Sequence, residues 1–216
     1  AGVGTLGVVD SDVVDLSNLQ RQIIHFTEDI NSPKVESAKF KIEKLNPDVK
    51  VITYNTRLNS KNIVDIIKDY DFIIDGTDNF PTKFLINDAC VMHNKPFSHA
   101  GILRFDGQTF TYTPRNMCYR CIFKEPPPKG VVPTCSEAGI LGAVAGIIGT
   151  IQANEALKFI LNAGELLTNK LLTFNALSGK FREIKLKKNE NCSVCGKNPT
   201  IKELQDYEQP VCELKL

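Results

Sequence analysis

The residues best equipped for chemistry in this chain are its cysteines. Seven stand at positions 90, 118, 121, 135, 192, 195 and 212, and one spacing occurs twice, in Cys118-Tyr119-Arg120-Cys121 and Cys192-Ser193-Val194-Cys195. A CxxC pair presents two thiolates at the separation that tetrahedral zinc needs, and two pairs make a closed four-thiolate structural site. A metal held by Cys118, Cys121, Cys192 and Cys195 would pin the C-terminal segment to the middle of the chain. Two unrelated redox dithiols are the competing reading. The odd cysteine count, without a secretion signal, argues against a disulfide framework and for a reducing compartment. Cys135 stands just before a helical stretch, where a helix N-terminus lowers a thiol pKa and suits a nucleophile; an inert thiol is the plainer alternative.

The next candidates are carboxylates at strand ends. Ligands of open parallel sheets bind outside the carboxyl ends of the strands. Asp10 closes the apolar run Thr5–Asp10, where a carboxylate can accept hydrogen bonds from a ribose diol; a turn carboxylate without a ligand reads equally well. A later strand ends Asp75-Gly76-Thr77-Asp78-Asn79. Small and acidic residues there let a backbone approach a ligand and offer a hard oxygen to Mg²⁺. An Asp/Asn cap on the next helix would look the same. Arg21 and Lys34 are the cations near the first strand ends, placed to offset phosphate charge or simply solvated.

These residues need a scaffold, and the first hundred positions supply one. Thr5–Asp10, Val49–Tyr54, Asp71–Asp75 and Pro96–Ala100 read as strands. Between them Pro33–Asn46 is predicted helical, with Ser32 as N-cap and Pro33 at the first helical position, and Lys61–Asp69 and Pro81–His93 supply two more helices. Such alternation predicts an α/β fold, a Rossmann-like, doubly wound and mostly parallel sheet. The second half adds antiparallel hairpins. Leu103–Thr113 alternates around the turn dipeptide Asp106-Gly107, and Leu171–Ala176 faces Lys180–Lys187 across Leu177-Ser178-Gly179. Glu125–Pro133 reads as a surface loop. A long helix is expected from about Glu137 to Ala163, closed by Gly164 in a left-handed cap.

Composition narrows the classes. Hydrophobic residues at 42% and charged residues at 24% exclude a disordered or fibrous chain. A net charge of +1 provides no field for nucleic acid or an anionic membrane. The apolar stretch from Ala138 to Asn154 carries several glycines and is short for a span, so a buried helix is expected. The N-terminal residues lack a basic segment and a cleavage site, so no signal peptide is expected.

Taken in order, these segments resemble the ThiF/MoeB family of adenylyltransferases, bacterial relatives of the ubiquitin-activating enzymes. The blocks that carry the resemblance are Asp10, Ser17-Asn18-Leu19-Gln20-Arg21-Gln22, Pro33-Lys34-Val35-Glu36-Ser37-Ala38, Thr77-Asp78-Asn79, the two CxxC pairs, and Thr134-Cys135-Ser136-Glu137-Ala138-Gly139. The resemblance implies that Asp10 holds the ribose of ATP. It implies that Ser17, Asn18, Leu19, Gln20, Arg21 and Lys34 line the nucleotide, that Asp78 acts through Mg²⁺ beside Asn79, and that the four paired cysteines bind structural Zn²⁺. Asp78, Arg21 and Cys135 are its expected catalytic positions, Cys135 as the site of a thioester or persulfide link in members that use one. The family opens with a strand and a GxGGxG loop whose amides cradle phosphate. That segment would precede Ala1, so residues 1–196 are expected to form an N-terminally truncated adenylation domain and 197–216 a tail or linker. Weak ATP binding by these residues alone is the corresponding expectation.

The implied reaction is adenylation of the C-terminal glycine of a ubiquitin-like sulfur carrier, of thiamine or molybdopterin type. A homodimer in the cytoplasm is expected, with a sulfur donor protein as a further partner. A non-catalytic, zinc-stabilised half of an activating heterodimer is the alternative. A nicotinamide dehydrogenase is disfavoured by the Arg- and Lys-bearing segments and the cysteine pairs.

Overall fold

The computed structural model describes residues 1–128 and 138–207, which form two compact units, Ala1–Leu58 and Asn59–Leu216. In the first unit, β1 (Thr5–Val9) pairs in parallel with β2 (Lys50–Tyr54), in the register Thr5↔Lys50 to Val9↔Tyr54. The crossover between them holds α1 (Lys34–Leu45). Val35 and Ala38 on the inner face of α1 are buried, as are Val14 and Val51. Pro33, not Ser32, occupies the cap position of α1, and no side chain caps it. The first-turn amide is satisfied from elsewhere: Lys34 N donates to Asp12 O at 3.0 Å, and Ser32 O accepts from Val14 N at 2.9 Å. An antiparallel bridge Val13↔Pro33 holds this approach.

The second unit is built on a five-stranded sheet in the order β3-β4-β5-β6-β7. Its strands are β3 (Ile73–Asp75), β4 (Phe97–Leu103), β5 (Asp106–Tyr112), β6 (Lys170–Asn175) and β7 (Lys180–Lys185). Only β3 and β4 pair in parallel; the other three pairings are antiparallel. The two-stranded sheet is parallel and the five-stranded one is mixed, not mostly parallel, because every strand after β4 is added by a hairpin or a return connection. The helices are α2 (Ile63–Ile67), α3 (Phe80–Met92), α4 (Tyr119–Ile122) and α5 (Gly142–Leu161). Phe84, Ala89 and Cys90 of α3 are buried, as are Ile63, Phe97, Phe110 and Tyr119, and the Phe84 ring meets the Tyr119 ring edge to face. A second apolar cluster joins Ala100 and Phe174 of the sheet to Val144 and Ile148 of α5.

The first hairpin departs from the sequence expectation. Asp106 pairs with Leu103, so the turn is Arg104-Phe105, with Arg104 in the left-handed region at φ 54°. Two backbone bonds to the 138–141 segment hold it there: Arg104 N to Gly139 O at 3.1 Å and Leu141 N to Arg104 O at 3.0 Å. Gly107 is a packing glycine and not a turn glycine. A Cβ at that position would lie 2.5 Å from Ile148 Cγ1 and 3.0 Å from Val144 Cγ1, so its absence lets α5 approach β5.

α5 also differs at both ends. It starts at Gly142, after Arg104 and Ile140 have paired in parallel, and closes on Asn162 in the left-handed conformation, two residues before the expected Gly164. α5 is long and apolar enough to cross a membrane by length and composition, and it is not the buried helix expected from the sequence: Val144, Ile148, Gln152 and Glu155 form one buried face, while Ile147, Ile160 and Leu161 are exposed. The β6–β7 hairpin lies as expected, with Gly179 at φ 65° in its turn. Of the predicted 125–133 loop, 129–133 lie outside the described residues, as does position 137, the expected start of the long helix.

Candidate functional site

The four paired cysteines come together. All four Sγ atoms lie within 4.8 Å of one another. Cys118 Sγ is 3.6 Å from Cys192 Sγ and Cys121 Sγ is 3.4 Å from Cys195 Sγ. Sulfurs 2.3 Å from a tetrahedral zinc stand about 3.8 Å apart, whereas a disulfide needs about 2.05 Å, so this spacing fits a metal cage and not a bridge. The cage is held from both sides. Ahead of the first pair, Met117 N donates to Asn169 Oδ1 at 2.9 Å, and within it Tyr119 N donates to Asn87 Oδ1 at 2.8 Å. Arg120 makes a bidentate pair with buried Asp88 through Nε and Nη2, both at 2.8 Å. The residues between the cysteines therefore fasten the first pair to α3. The second pair sits in a tight turn in which Gly196 N donates to Cys192 O at 3.1 Å. A Cβ on Gly196 would meet that same oxygen at 2.5 Å, which explains the glycine after the pair. Asn189 N points at Cys121 Sγ from 3.4 Å, an amide donor of the kind that favours thiolate. The Cys121 thiol is drawn down to about 6, first by its hydrogen bond with Cys118. Cys90 stands apart, and burial pushes its thiol up, as for an inert core cysteine. Cys135 and Cys212 lie outside the described residues.

In the first unit Asp10 follows β1, and its Oδ1 accepts from Asp12 N at 2.8 Å. Lys34 reaches both carboxylates, with Nζ 3.1 Å from Asp12 Oδ2 and 3.8 Å from Asp10 Oδ2. The Ser17–Arg21 segment is a folded turn. Asp15 Oδ1 accepts from Ser17 N at 2.8 Å and Ser17 Oγ at 2.5 Å, while Asn18 Oδ1 accepts from Asp15 N at 3.1 Å. The hydrogen bond from the Ser17 hydroxyl, chiefly, lowers the Asp15 pKa. Arg21 Nη1 donates to Ser17 O at 3.2 Å, and Leu19 N and Gln22 N close onto Leu16 O and Asn18 O. The structure thus groups Asp10 with Lys34, and Ser17 and Asn18 with Arg21. Gln20 is exposed beyond that turn.

In the second unit Asn79 caps α3, its Oδ1 accepting from Thr82 N at 2.9 Å. The capping reading of this segment therefore holds for Asn79. Asp78 beside it is exposed and makes no hydrogen bond among the described residues. An exposed carboxylate on a capped turn is a donor suited to a hard cation. Asp75, Lys83, His99 and Gln152 gather just behind the turn. Asp75 Oδ2 accepts from Lys83 Nζ at 3.1 Å and from His99 Nδ1 at 3.0 Å. Burial alone would raise the Asp75 carboxyl; the Lys83 charge and the His99 bond outweigh it and hold the group well below the usual range. Burial, then Lys83, pushes His99 down to about 4, so the ring is neutral near pH 7 and Nδ1 carries the donated proton. The strand-end motif that contains Asp75 does not by itself point to Lys83, His99 or Gln152. The signal was a lysine eight positions after a strand-terminal aspartate, on the buried face of the next helix.

A carboxylate–lysine group thus stands at the end of a parallel strand in each unit, and a tetrathiol cage in the second. Residues 1–194 match the ThiF family, and the chain belongs to it. It is 44% identical over 214 residues to the sulfur carrier protein adenylyltransferase of Thermus thermophilus, covering 96% of this chain and 79% of that protein. It is 44% identical over 195 residues to the SAMP-activating enzyme E1 of Haloferax volcanii, covering 90% and 72%. MoeZ of Mycobacterium tuberculosis, named "Probable adenylyltransferase/sulfurtransferase MoeZ", is 44% identical over 97% of this chain, which spans 53% of that protein. Among solved structures, E. coli MccB with succinimide has a TM-score of 0.78 at 23% identity over 90% of this chain and 60% of that one, a likeness of fold.

Proposed function

We infer that the chain is an ATP-dependent adenylyltransferase that activates the C-terminal glycine of a ubiquitin-like sulfur carrier. The sulfur carrier adenylyltransferase and SAMP-activating relatives, each aligned over at least 90% of this chain, carry the reading. The carrier carboxylate attacks the α-phosphorus of ATP, the bond to the bridging oxygen breaks, and pyrophosphate leaves with its electron pair, giving an acyl-adenylate. The carboxylate is already ionised at neutral pH, so no general base is required. The protein must bring two anions together, which makes positioning and charge neutralisation its main tasks. In this reading Asp10 accepts from the ribose, Lys34 and Arg21 face the phosphates with Ser17 and Asn18, and Asp78 holds the metal, with Asn79 fixing its turn. Mg²⁺, when bound, supplies neutralisation of the phosphate charge. Cys135 is the position for a covalent link to the partner. Residues 1–196 act as the adenylation domain, in a cytoplasmic homodimer that also meets a sulfur donor.

The Sγ spacing supports zinc as the occupant of the Cys118–Cys121–Cys192–Cys195 cage, in a structural role. The test of activity is carrier-dependent ATP–pyrophosphate exchange in the full-length protein. A parent protein without exchange on any Gly-Gly-ended carrier overturns the reading. For the metal, one Zn²⁺ per chain is expected, and Cys192→Ser should release it and unfold the segment from Lys188 onward, because metal binding energy is folding energy here. Four thiols that titrate freely in the purified protein would remove the zinc assignment.

A further inference from the structure

The turn that carries Asp78 is pinned at both ends by side chains, and one of them is a buried aspartate for which the proposed reaction has no direct use. Asp75 is 1% exposed. Its Oδ1 accepts from Thr77 N at 3.0 Å and Thr77 Oγ1 at 2.7 Å, and its Oδ2 accepts from Lys83 and His99. Those four bonds fill the four lone-pair sites of a carboxylate. The Asp75 carbonyl is also taken, by Gln152 Nε2 at 3.0 Å, and the same amide donates to Ser98 O at 2.9 Å. Lys83 Nζ donates a second bond to Ala100 O at 2.6 Å. One oxygen of Asp75 is thus locked by α3 and β4 and its main chain by α5, while the other oxygen grips Thr77. At the far end of the turn Asn79 is locked to Thr82. Gly76 and Asp78 are the exposed residues of the segment.

A buried ion pair is a poor source of stability, since desolvation consumes most of its attraction, and apolar residues of similar volume usually do as well. What such a pair provides is a single geometry. We propose that Asp75, clamped by Lys83 and His99, is the positioning residue for the 75–79 turn and fixes Asp78 for its work through the Thr77 contact. The inference rests on the adenylyltransferase reading for what Asp78 does, but not for the clamp itself. Asp75 touches neither nucleotide nor carrier in this scheme. It acts through Thr77, as a rigid shell acts on an exposed reactive group.

Thr77→Val separates positioning from folding, since it removes the hydroxyl contact and leaves the Lys83–Asp75–His99 cluster whole. In full-length protein it should lower kcat for carrier-dependent pyrophosphate exchange by roughly 10- to 100-fold while KM for ATP stays within about twofold, the cost of misplacing one group by a fraction of an ångström. Thr77→Ser should restore the parental rate. Hydrogen exchange gives a reading independent of activity: the Thr77 amide should be protected in the parent, exchange faster in Thr77→Val and faster still in Asp75→Asn, with the metal content unchanged. A Thr77→Val protein with parental kcat and parental amide protection overturns the proposal. So does one that loses kcat without any change in amide exchange. If the parent itself shows no pyrophosphate exchange, the functional reading fails, and the amide protection of Thr77 alone then decides the clamp: fast exchange in the parent refutes it.

Discussion

β1 delivers Asp10 just beyond its last residue and receives Lys34 from the first turn of α1; β3 delivers Asp75 as its last residue and receives Lys83 from α3. In sequence the two ends are near copies, an apolar strand closing on an aspartate with a lysine on the following helix. Their solvation separates them. The two lysines are buried alike, at 11% for the Lys34 side chain and 8% for Lys83, but the carboxylates differ: Asp10 and Asp12 are 35% and 69% exposed and Asp75 is 2% exposed. The ammonium at β1 meets carboxylates that water also reaches, which is what the proposed exchange of those carboxylates for a phosphate requires. The ammonium at β3 has nowhere else to go. A strand-end pair that can be re-partnered is a binding group, and one that cannot is a fixture that holds its neighbours.

The comparison breaks most readily at the lysines. Lys83→Met leaves the Asp75 carboxylate buried without its main counter-charge and should cost about 3–5 kcal/mol. Lys34→Met removes a buried cation whose carboxylate partners stay in reach of water, so it strands no buried charge and should cost less than Lys83→Met. Urea denaturation followed by circular dichroism measures both, and equal losses would erase the distinction. On the proposed role of Lys34 at the phosphates, the order should invert for ligand: Lys34→Met should weaken ATP binding in calorimetry on the full-length protein more than Lys83→Met does.

Acid sharpens the same contrast. His99 in the unfolded chain titrates near 6.5 and in the folded chain near 4. Between those values the unfolded state binds a proton that the folded state refuses, so stability falls as pH falls from about 6.5 towards 4, by at most about 3 kcal/mol. The depressed Asp75 carboxyl acts in the same direction only in stronger acid, below the ordinary carboxylate range. His99→Asn offers Asp75 a donor that does not titrate and should lessen the dependence between pH 4 and 6.5, leaving the smaller part that His25, also lowered by burial, contributes. An unaltered slope in that variant would show that another group carries it.

Much of this could be read from residue types alone, and the failures share a cause. The two CxxC pairs were legible because metal ligation depends on ligand type and local spacing, and the four early strands because an apolar run closing on a polar residue is a local signal. The Lys83–Asp75–His99 cluster joins positions 75, 83 and 99 from three elements, so no window of sequence contains it. Gly107 misled for a related reason. An Asp-Gly dipeptide between alternating residues marks a turn only if nothing packs on it, and here α5 does. Ser32 failed as a cap because residues twenty positions upstream had already supplied the backbone partners.

The finest distinction falls between two adjacent residues, Asp78 and Asn79. Asn79 has a structural bond, from Thr82 N, and Asp78 has none among the described residues. Asn79→Ala should therefore destabilise the protein by about 1 kcal/mol, the usual cost of a lost N-cap. Asp78→Ala should leave stability unchanged within about 0.5 kcal/mol, as for an exposed site away from packing and caps. Activity should rank them the other way. Asp78→Ala removes the carboxylate assigned to the metal and should bring pyrophosphate exchange close to background, while Asn79→Ala frays one end of the turn but leaves the Asp75–Thr77 grip and retains a measurable rate. Thermal denaturation and exchange assays on the pair of variants decide it. If Asp78→Ala destabilises as much as Asn79→Ala, its carboxylate serves the fold and is not the open group that the structure presents.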